Sequence, residues 1–360
     1  MKKLFFFALI FIVPLGAFAQ EASEQKLIAQ AMDGQRMIFE RNYAGADELF
    51  TKVIKENPDH PIGYFGRMAV LEMKMLERED FHLAREFETA TKEGGAAIIK
   101  TLNRQPSDWD LLVCGSLVGL DGFFKARGRH WLDAYTRGVE SRQTFHRIKQ
   151  RNPAFVDADF GLGMYIYWRS VFTKELKILP FFPDRRAEGI AIVESVARDG
   201  SFAKELAEVN LGMIFMEEKQ FDRSHDVFKA FSNRYPKNVI LMLFDGKALI
   251  AGKRYDEAAA TMKRLIAVDP SVPQAYYFMG MARVMQQKPE YYDEAEAALK
   301  KFEAVASKGE WKASANYWLG RLAELRGDKA AAKTYYETAL AHNPNIKSIP
   351  LRIRALGSGL

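Results

Sequence analysis

The feature that most constrains the fold is an internal repeat with a period of 34 residues in the C-terminal half of the chain. Three sets of equivalent positions keep this spacing: Gly212, Gly246 and Gly280; Pro236 and Pro270; and Ser224 and Ala258. A period of this length is typical of a two-helix unit that cannot bury its apolar faces alone and is stabilised by stacking on its neighbours. We therefore predict a stack of helical hairpins from residue 205 onward.

Each unit carries the residue types that close helix packing needs. A small residue on the first helix lets two antiparallel helices approach, an aromatic residue before the second helix wedges their open end, and proline ends the second helix. The third unit is three residues longer than the second, so we expect Lys288-Pro289-Glu290 to extend its turn. The last unit has the fullest pattern, with Leu319-Gly320, Ala332, Tyr336, Ala339 and Pro344.

On these residues the chain resembles the tetratricopeptide repeat family, whose units stack into a right-handed superhelix with a concave face for ligands. The resemblance covers residues 205–346 as four units. A fifth unit is expected near the N-terminus, where the matching positions are Gly34, Tyr43, Ala46, Phe50 and Pro58. The segments Gly161–Tyr165 and Leu179–Arg185 are also similar to exported bacterial repeat proteins of unassigned role, which implies kinship but no activity.

Between these parts the pattern is degenerate, although helical apolar spacing continues, and we expect three longer hairpins there. Gly115, Gly119 and Gly122 fall in one helix-like stretch, where close packing would compensate for the low helix propensity of glycine. The predicted fold is an all-α solenoid of about eight hairpins. Its predicted divisions are a signal peptide at 1–19, an N-terminal unit at 20–60, the degenerate region at 61–204, four repeats at 205–346 and a tail at 347–360.

The N-terminus has the order of a secretory signal: Lys2 and Lys3, an apolar run from Leu4 to Leu15, and then Ala17-Phe18-Ala19. We expect cleavage after Ala19 and a periplasmic or secreted bacterial protein. No later stretch is long and apolar enough for a transmembrane helix. The residue directly after the cleavage site is Gln20 and not a cysteine, so we also expect no lipid anchor.

Cys114 is the only cysteine, which excludes an intramolecular disulfide. Its apolar neighbours, Leu111-Leu112-Val113, favour a buried thiol over a nucleophile. The formal net charge of +6 falls to +4 without the two signal lysines, and together with export this mild charge argues against a nucleic-acid partner.

The sequence has no recognisable catalytic or cofactor motif. Nucleophile elbows, phosphate loops and dinucleotide fingerprints are missing, and the six histidines are too scattered for a paired zinc site. Clustered acids such as Glu72, Glu77 and Glu79 lie among basic residues at helix-pair distances, as on a solvated ion-pair face. A carboxylate pair brought together by the fold needs no fixed spacing and stays open. We predict no enzyme activity, no metal and no cofactor.

Residues 125–151 carry a local net charge of +6. Such a segment would suit an anionic lipid surface, an acidic partner or a cell-wall polymer, and the alternative is an ordinary solvated helix face. The basic side chains assigned to this contact are Lys125, Arg127, Arg129, Arg137, Arg142 and Arg147.

The run Ile178–Pro183 is apolar and contains two prolines, which prevent a regular helix. Two readings are open for it. The run either plugs the seam between the degenerate region and the regular repeats or projects to a partner or membrane.

If the regular repeats follow the family plan, the first helix of each unit lines the concave face. The Lys and Asn clamp with which some family members grip a terminal carboxylate is missing, and an apolar, methionine-rich trough replaces it. The trough is either an open partner site, centred on Tyr277 and Met281, or is filled by the chain itself. The predicted partner-binding residues are Met213, Leu243, Lys247, Ile250, Tyr277, Met281, Tyr317 and Arg321.

These observations favour an exported scaffold that binds a protein or peptide through its concave face. The alternative is an accessory subunit of solute uptake, similar to the repeat-built periplasmic T component of TRAP transporters, which encloses an apolar channel. Those proteins are typically lipid-anchored, unlike our expectation for this chain. A hydrolytic enzyme is the weakest hypothesis.

Overall fold

The computed structural model describes residues 15–173, 183–306 and 309–357. Within those ranges every regular element is helical, which confirms the predicted all-α class. The helices are α1 Leu15–Phe39, α2 Tyr43–Glu56, α3 Ile62–Arg78, α4 Ala84–Leu102, α5 Asp108–Arg127, α6 Trp131–Arg151, α7 Asp157–Phe172, α8 Arg186–Asp199, α9 Lys204–Glu217, α10 Phe221–Arg234, α11 Val239–Ala251, α12 Tyr255–Val268, α13 Pro273–Gln286, α14 Tyr292–Val305, α15 Gly309–Leu325, α16 Lys329–His342 and α17 Ser348–Gly357.

The helices α1 to α16 follow one another as eight hairpins, in agreement with the predicted number, and α17 comes after the last hairpin. The chain divides into two compact units. Unit 1 contains the residues up to Glu72 together with Leu83–Ser141, and unit 2 contains Met73–His82 together with Arg142–Leu360. In unit 2 each helix from α7 to α17 packs against the next one along the chain.

The repeated glycines make room for a large side chain of the second helix. A Cβ atom on Gly212 would lie 2.7 Å from the Phe228 ring, and one on Gly320 would lie 2.6 Å from the Tyr336 ring. The small residues of the second helices are also buried, and Ser224 Oγ donates a 2.8 Å hydrogen bond to the Gly212 carbonyl. The 34-residue spacing therefore marks the points of closest approach between paired helices.

The aromatic residues predicted before the second helix are instead its first residues, as Tyr43, Phe221 and Tyr255 begin α2, α10 and α12. The third regular unit has its predicted extended turn, because Pro289–Tyr291 forms a short 3-10 helix between α13 and α14. At the C-terminus, the fully buried Ile349 of α17 packs on the last hairpin.

Most hairpin turns contain one residue in the left-handed region. At Lys253 (φ 61°) the following N–H, of Arg254, donates to the Leu249 carbonyl at 2.8 Å, which closes the end of α11. Six of these positions are not glycine, so the turns adopt this conformation against the usual preference of L-residues. The seven residues are Arg41, Glu79, Arg129, Lys219, Lys253, Gln287 and Gly327.

In unit 1 the glycines of α5 allow close packing on α6, as predicted. A Cβ atom on Gly119 would lie 3.0 Å from Ser141 Oγ, and one on Gly122 would lie 3.1 Å from Arg137 Cβ. Cys114 lies on the same helix with 2% of its surface exposed, which confirms the prediction of a buried thiol. Burial raises the pKa of the Cys114 thiol to about 12, so the thiolate is suppressed near neutral pH.

Two predicted features fall largely outside the described residues. Residues 1–14 of the predicted signal peptide lie there, as do residues 178–182 of the apolar run that ends at Pro183. Among the helices that are described, none has the length and apolar character needed to cross a bilayer.

Candidate functional site

The eight predicted partner-binding residues lie on the first helices of the four regular hairpins, all in unit 2. Among the first helices, α11 packs on α13 and α13 packs on α15, so the residues of these three helices share one surface. We call this surface, together with the corresponding side of α9 in the preceding hairpin, the first-helix face. Leu243 and Tyr277 are buried, and the other six residues, Met213, Lys247, Ile250, Met281, Tyr317 and Arg321, are half-buried.

Tyr277 forms part of the packing between hairpins. It is 7% exposed, and its hydroxyl accepts a 3.1 Å hydrogen bond from Trp318 Nε1 and bonds to Ser314 Oγ at 2.6 Å. Its ring lies 5.1 Å from that of Phe302 and 5.2 Å from that of Trp311. Burial raises the pKa of this hydroxyl. Tyr277 therefore links α13 to α14 and α15, and its role as a partner anchor stays a prediction.

Lys247 contacts a distant segment of the chain. Its Nζ lies 2.6 Å from Glu79 Oε1, in the turn that follows α3, and this segment belongs to unit 2. The same ammonium group lies over the rings of Phe244 and Phe278, at 5.6 and 5.1 Å from their centroids. The alternative that the chain itself covers the trough therefore has support at Lys247.

The rest of the first-helix face has a methionine-rich surface that is partly open to solvent. Met213 and Met216 on α9, and Met281 and Met285 on α13, are each half-buried. Methionine is flexible and polarisable, so such a surface adapts to apolar side chains of different shapes.

At the C-terminal end of the face, Glu324 of α15 pairs with one arginine of its own helix and with one of α17. Glu324 lies 3.1 Å from Arg321 Nε and accepts a 2.8 Å hydrogen bond from Arg352. Tyr317 lines a neighbouring depression of about 320 Å³, together with Ser314 and Asn343. Arg321 is thus already paired within the protein.

Three of the six basic side chains that the sequence assigned to an anionic contact lie against carboxylates. In unit 1, Lys125 lies 4.0 Å from Glu88, Arg127 lies 2.5 Å from the buried Glu72, and Arg137 lies 2.8 Å from both Asp121 and Glu140. In unit 2, Arg142 lies over the ring of Tyr165. Arg129 and Arg147 are exposed.

A buried pair that the sequence did not predict joins α10 to α11. His225 Nδ1 lies 2.5 Å from Asp245 Oδ1, with side-chain exposures of 6% and 2%. Burial raises the pKa of Asp245, and the hydrogen bond from His225 opposes that rise. Throughout the described ranges, no group of three or more His, Cys, Asp or Glu residues is placed to hold a metal ion.

A scan against protein families matches tetratricopeptide repeats at residues 209–275, 246–290 and 313–346. These segments are tetratricopeptide repeats. The match confirms the predicted resemblance to this family. The matched segments contain most of the first-helix face. The matched segments have the tetratricopeptide-repeat fold, which is typical of protein–protein interaction.

Several solved structures are similar to this chain. The APC/C hetero-tetramer Cut9-Hcn1 has a TM-score of 0.56 at 14% identity, over 90% of this chain and 54% of that one. Pseudomonas aeruginosa pilF has a TM-score of 0.46 at 14% identity, over 68% of this chain and 97% of that one. A repeat protein of Parabacteroides merdae has a TM-score of 0.42 at 14% identity, over 80% of this chain and 98% of that one. The likeness to Cut9-Hcn1, the one of these three with a TM-score above 0.5, shows the fold alone. No match is found among curated proteins.

Proposed function

We propose that the protein is an exported scaffold that binds a protein or peptide through the first-helix face of its tetratricopeptide repeats. The observation that carries this proposal is the row of half-buried methionines on α9 and α13, beside a cation at Lys247. A surface of this kind offers adaptable apolar contact together with one charged group that fixes orientation. Catalysis has no separate support, and its absence stays a prediction.

The proposal places the protein outside the cytoplasm, with its signal peptide removed after Ala19. N-terminal sequencing of the protein from fractionated cells tests this step. A chain that starts at Gln20 in the periplasmic or secreted fraction supports it. A cytoplasmic chain that retains Met1 contradicts it.

The partner site is tested with charge substitutions at two half-buried methionines of the face. Met213→Glu and Met281→Glu together place two carboxylates in the apolar row, where a bound partner would bury them without counterions. Ala260→Glu adds the same group at an exposed position on α12 and is the control. We expect the double variant to keep its helical circular dichroism and to lose the partners that are crosslinked to the native protein in intact cells, while the control retains them. Equal capture by all three proteins would place the partner site elsewhere.

We do not extend the proposal to an anionic surface, because Lys125, Arg127 and Arg137 each lie against a carboxylate. The accessory role in solute uptake and the lack of a nucleic-acid partner stay predictions.

A further inference from the structure

The turn after α3 is held in a defined conformation. Glu79 adopts a left-handed backbone (φ 50°), and the N–H groups of Glu79 and Asp80 donate to the carbonyls of Leu76 and Met75 at 3.2 and 3.1 Å. This pattern of two bonds closes the end of a helix. The backbone therefore fixes the point from which the Glu79 side chain extends.

The Glu79 carboxylate reaches a first helix of the regular repeats. Its contact with Lys247 joins residues 168 positions apart in the sequence. The side chains are 26% and 29% exposed, so water reaches the pair and a second carboxylate can approach Lys247. Lys247 also lies over two aromatic rings, where a partner without an acidic group would leave the ammonium without a counterion.

We propose that Lys247 is the subsite for an acidic side chain of the partner, and that Glu79 occupies this subsite until the partner displaces it. The inference rests on the proposed function, since it concerns the same first-helix face. The partner segment it requires has a carboxylate flanked by apolar residues, because Ile250 and Met281 are among the half-buried residues of the same face. The turn Glu79–His82 acts as an internal competitor, and its ion pair sets how strongly it competes.

The test uses a fluorescently labelled synthetic peptide with the sequence of residues 73–84, in which Glu79 lies between Arg78 and Asp80 and the nearest apolar residues are Leu76 and Phe81. A second peptide carries glutamine in place of this glutamate. Fluorescence anisotropy measures the affinity of each peptide for three forms of the full mature chain. These are the native protein, the Glu79→Gln variant and the Lys247→Met variant. Glu86→Gln is the matched control, because it neutralises an exposed glutamate on α4.

Loss of a partly exposed ion pair such as Glu79–Lys247 should change the affinity for the peptide by about fivefold. We expect the Glu79→Gln protein to bind the glutamate peptide about fivefold more tightly than the native protein does, and about fivefold more tightly than it binds the glutamine peptide. The Lys247→Met protein should bind the two peptides equally, and Glu86→Gln should behave as native. Circular dichroism checks the fold of each variant, and Lys247→Gln replaces Lys247→Met if the latter unfolds.

Three results would overturn the inference. Equal affinity of native and Glu79→Gln proteins would show that the turn does not compete. A retained preference for the glutamate peptide in the Lys247 variant would show that another group binds the carboxylate. Failure of every protein to bind either peptide would also refute it. The proposed function would then stand or fall separately, on partner capture by the Met213 and Met281 variants.

Discussion

Replacing Gly320 with alanine should destabilise the last repeat, whereas the same change at Gly246 should be nearly neutral. At Gly320 the new Cβ would lie 2.6 and 2.7 Å from the Tyr336 ring, which is fully buried and cannot turn away. Overpacking of this kind costs about 2–3 kcal/mol, and the better helix propensity of alanine offsets about 1 kcal/mol. The expected net loss at Gly320 is therefore about 1–2 kcal/mol.

At Gly246 the obstacle is the terminal methyl group of Met262, 2.3 Å from the new Cβ. A methionine end moves at low cost, so Gly246→Ala should remain within about 0.5 kcal/mol of the native protein. Urea unfolding followed by circular dichroism ranks the stabilities of the two variants. Hydrogen exchange in α11–α12 and α15–α16 shows which hairpin loses stability. Equal losses in the two variants would refute the argument that the rigidity of the facing side chain decides the cost.

Three further predictions concern a thiol, a buried pair and a turn. Cys114 should not react with a thiol reagent at pH 8 until the chain is denatured, because its pKa is raised to about 12; fast reaction of the native protein would contradict its burial. His225→Leu should lower the free energy of unfolding in urea by about 3 kcal/mol, because it leaves Asp245 without its histidine partner. Adding Asp245→Leu should restore much of this loss. Additive effects of the two substitutions would exclude coupling of the pair. Lys253→Gly should raise the free energy of unfolding by about 0.5–1 kcal/mol, since φ is positive there, while Lys229→Gly inside α10 should lower it by about 1 kcal/mol; the same sign at both sites would contradict the turn geometry.

Local spacing predicted the repeat architecture because each constraint lies within one unit. Gly212 and Phe228 are 16 residues apart and meet in a single hairpin, so their partnership recurs at the next unit with Gly246 and Met262. The extended turn at Pro289 could be predicted for the same reason, since three extra residues had to fit between two helices whose contact was already fixed.

The candidate site could be predicted only in part, because its accessibility depends on contacts between distant residues. The spacing of Tyr277 placed it on a first helix, but its burial depends on Trp318 and Ser314 of the next hairpin. No local pattern links Glu79 to Lys247, which meet only once the chain has folded. His225 and Asp245 lie 20 residues apart on two different helices, so their contact gave no local signal in the sequence.

Photo-crosslinking in intact cells tests the central claim most directly. A benzoylphenylalanine is introduced at Met281, which is half-buried on the first-helix face, and in a second strain at Val268, which is 39% exposed at the end of α12. We predict that Met281 gives a discrete crosslinked protein, that Val268 does not, and that mass spectrometry locates the crosslink in a segment of the partner that contains an acidic residue. Crosslinks of the same species and yield from both positions, or from Val268 alone, would contradict the assignment of the first-helix face as the partner site.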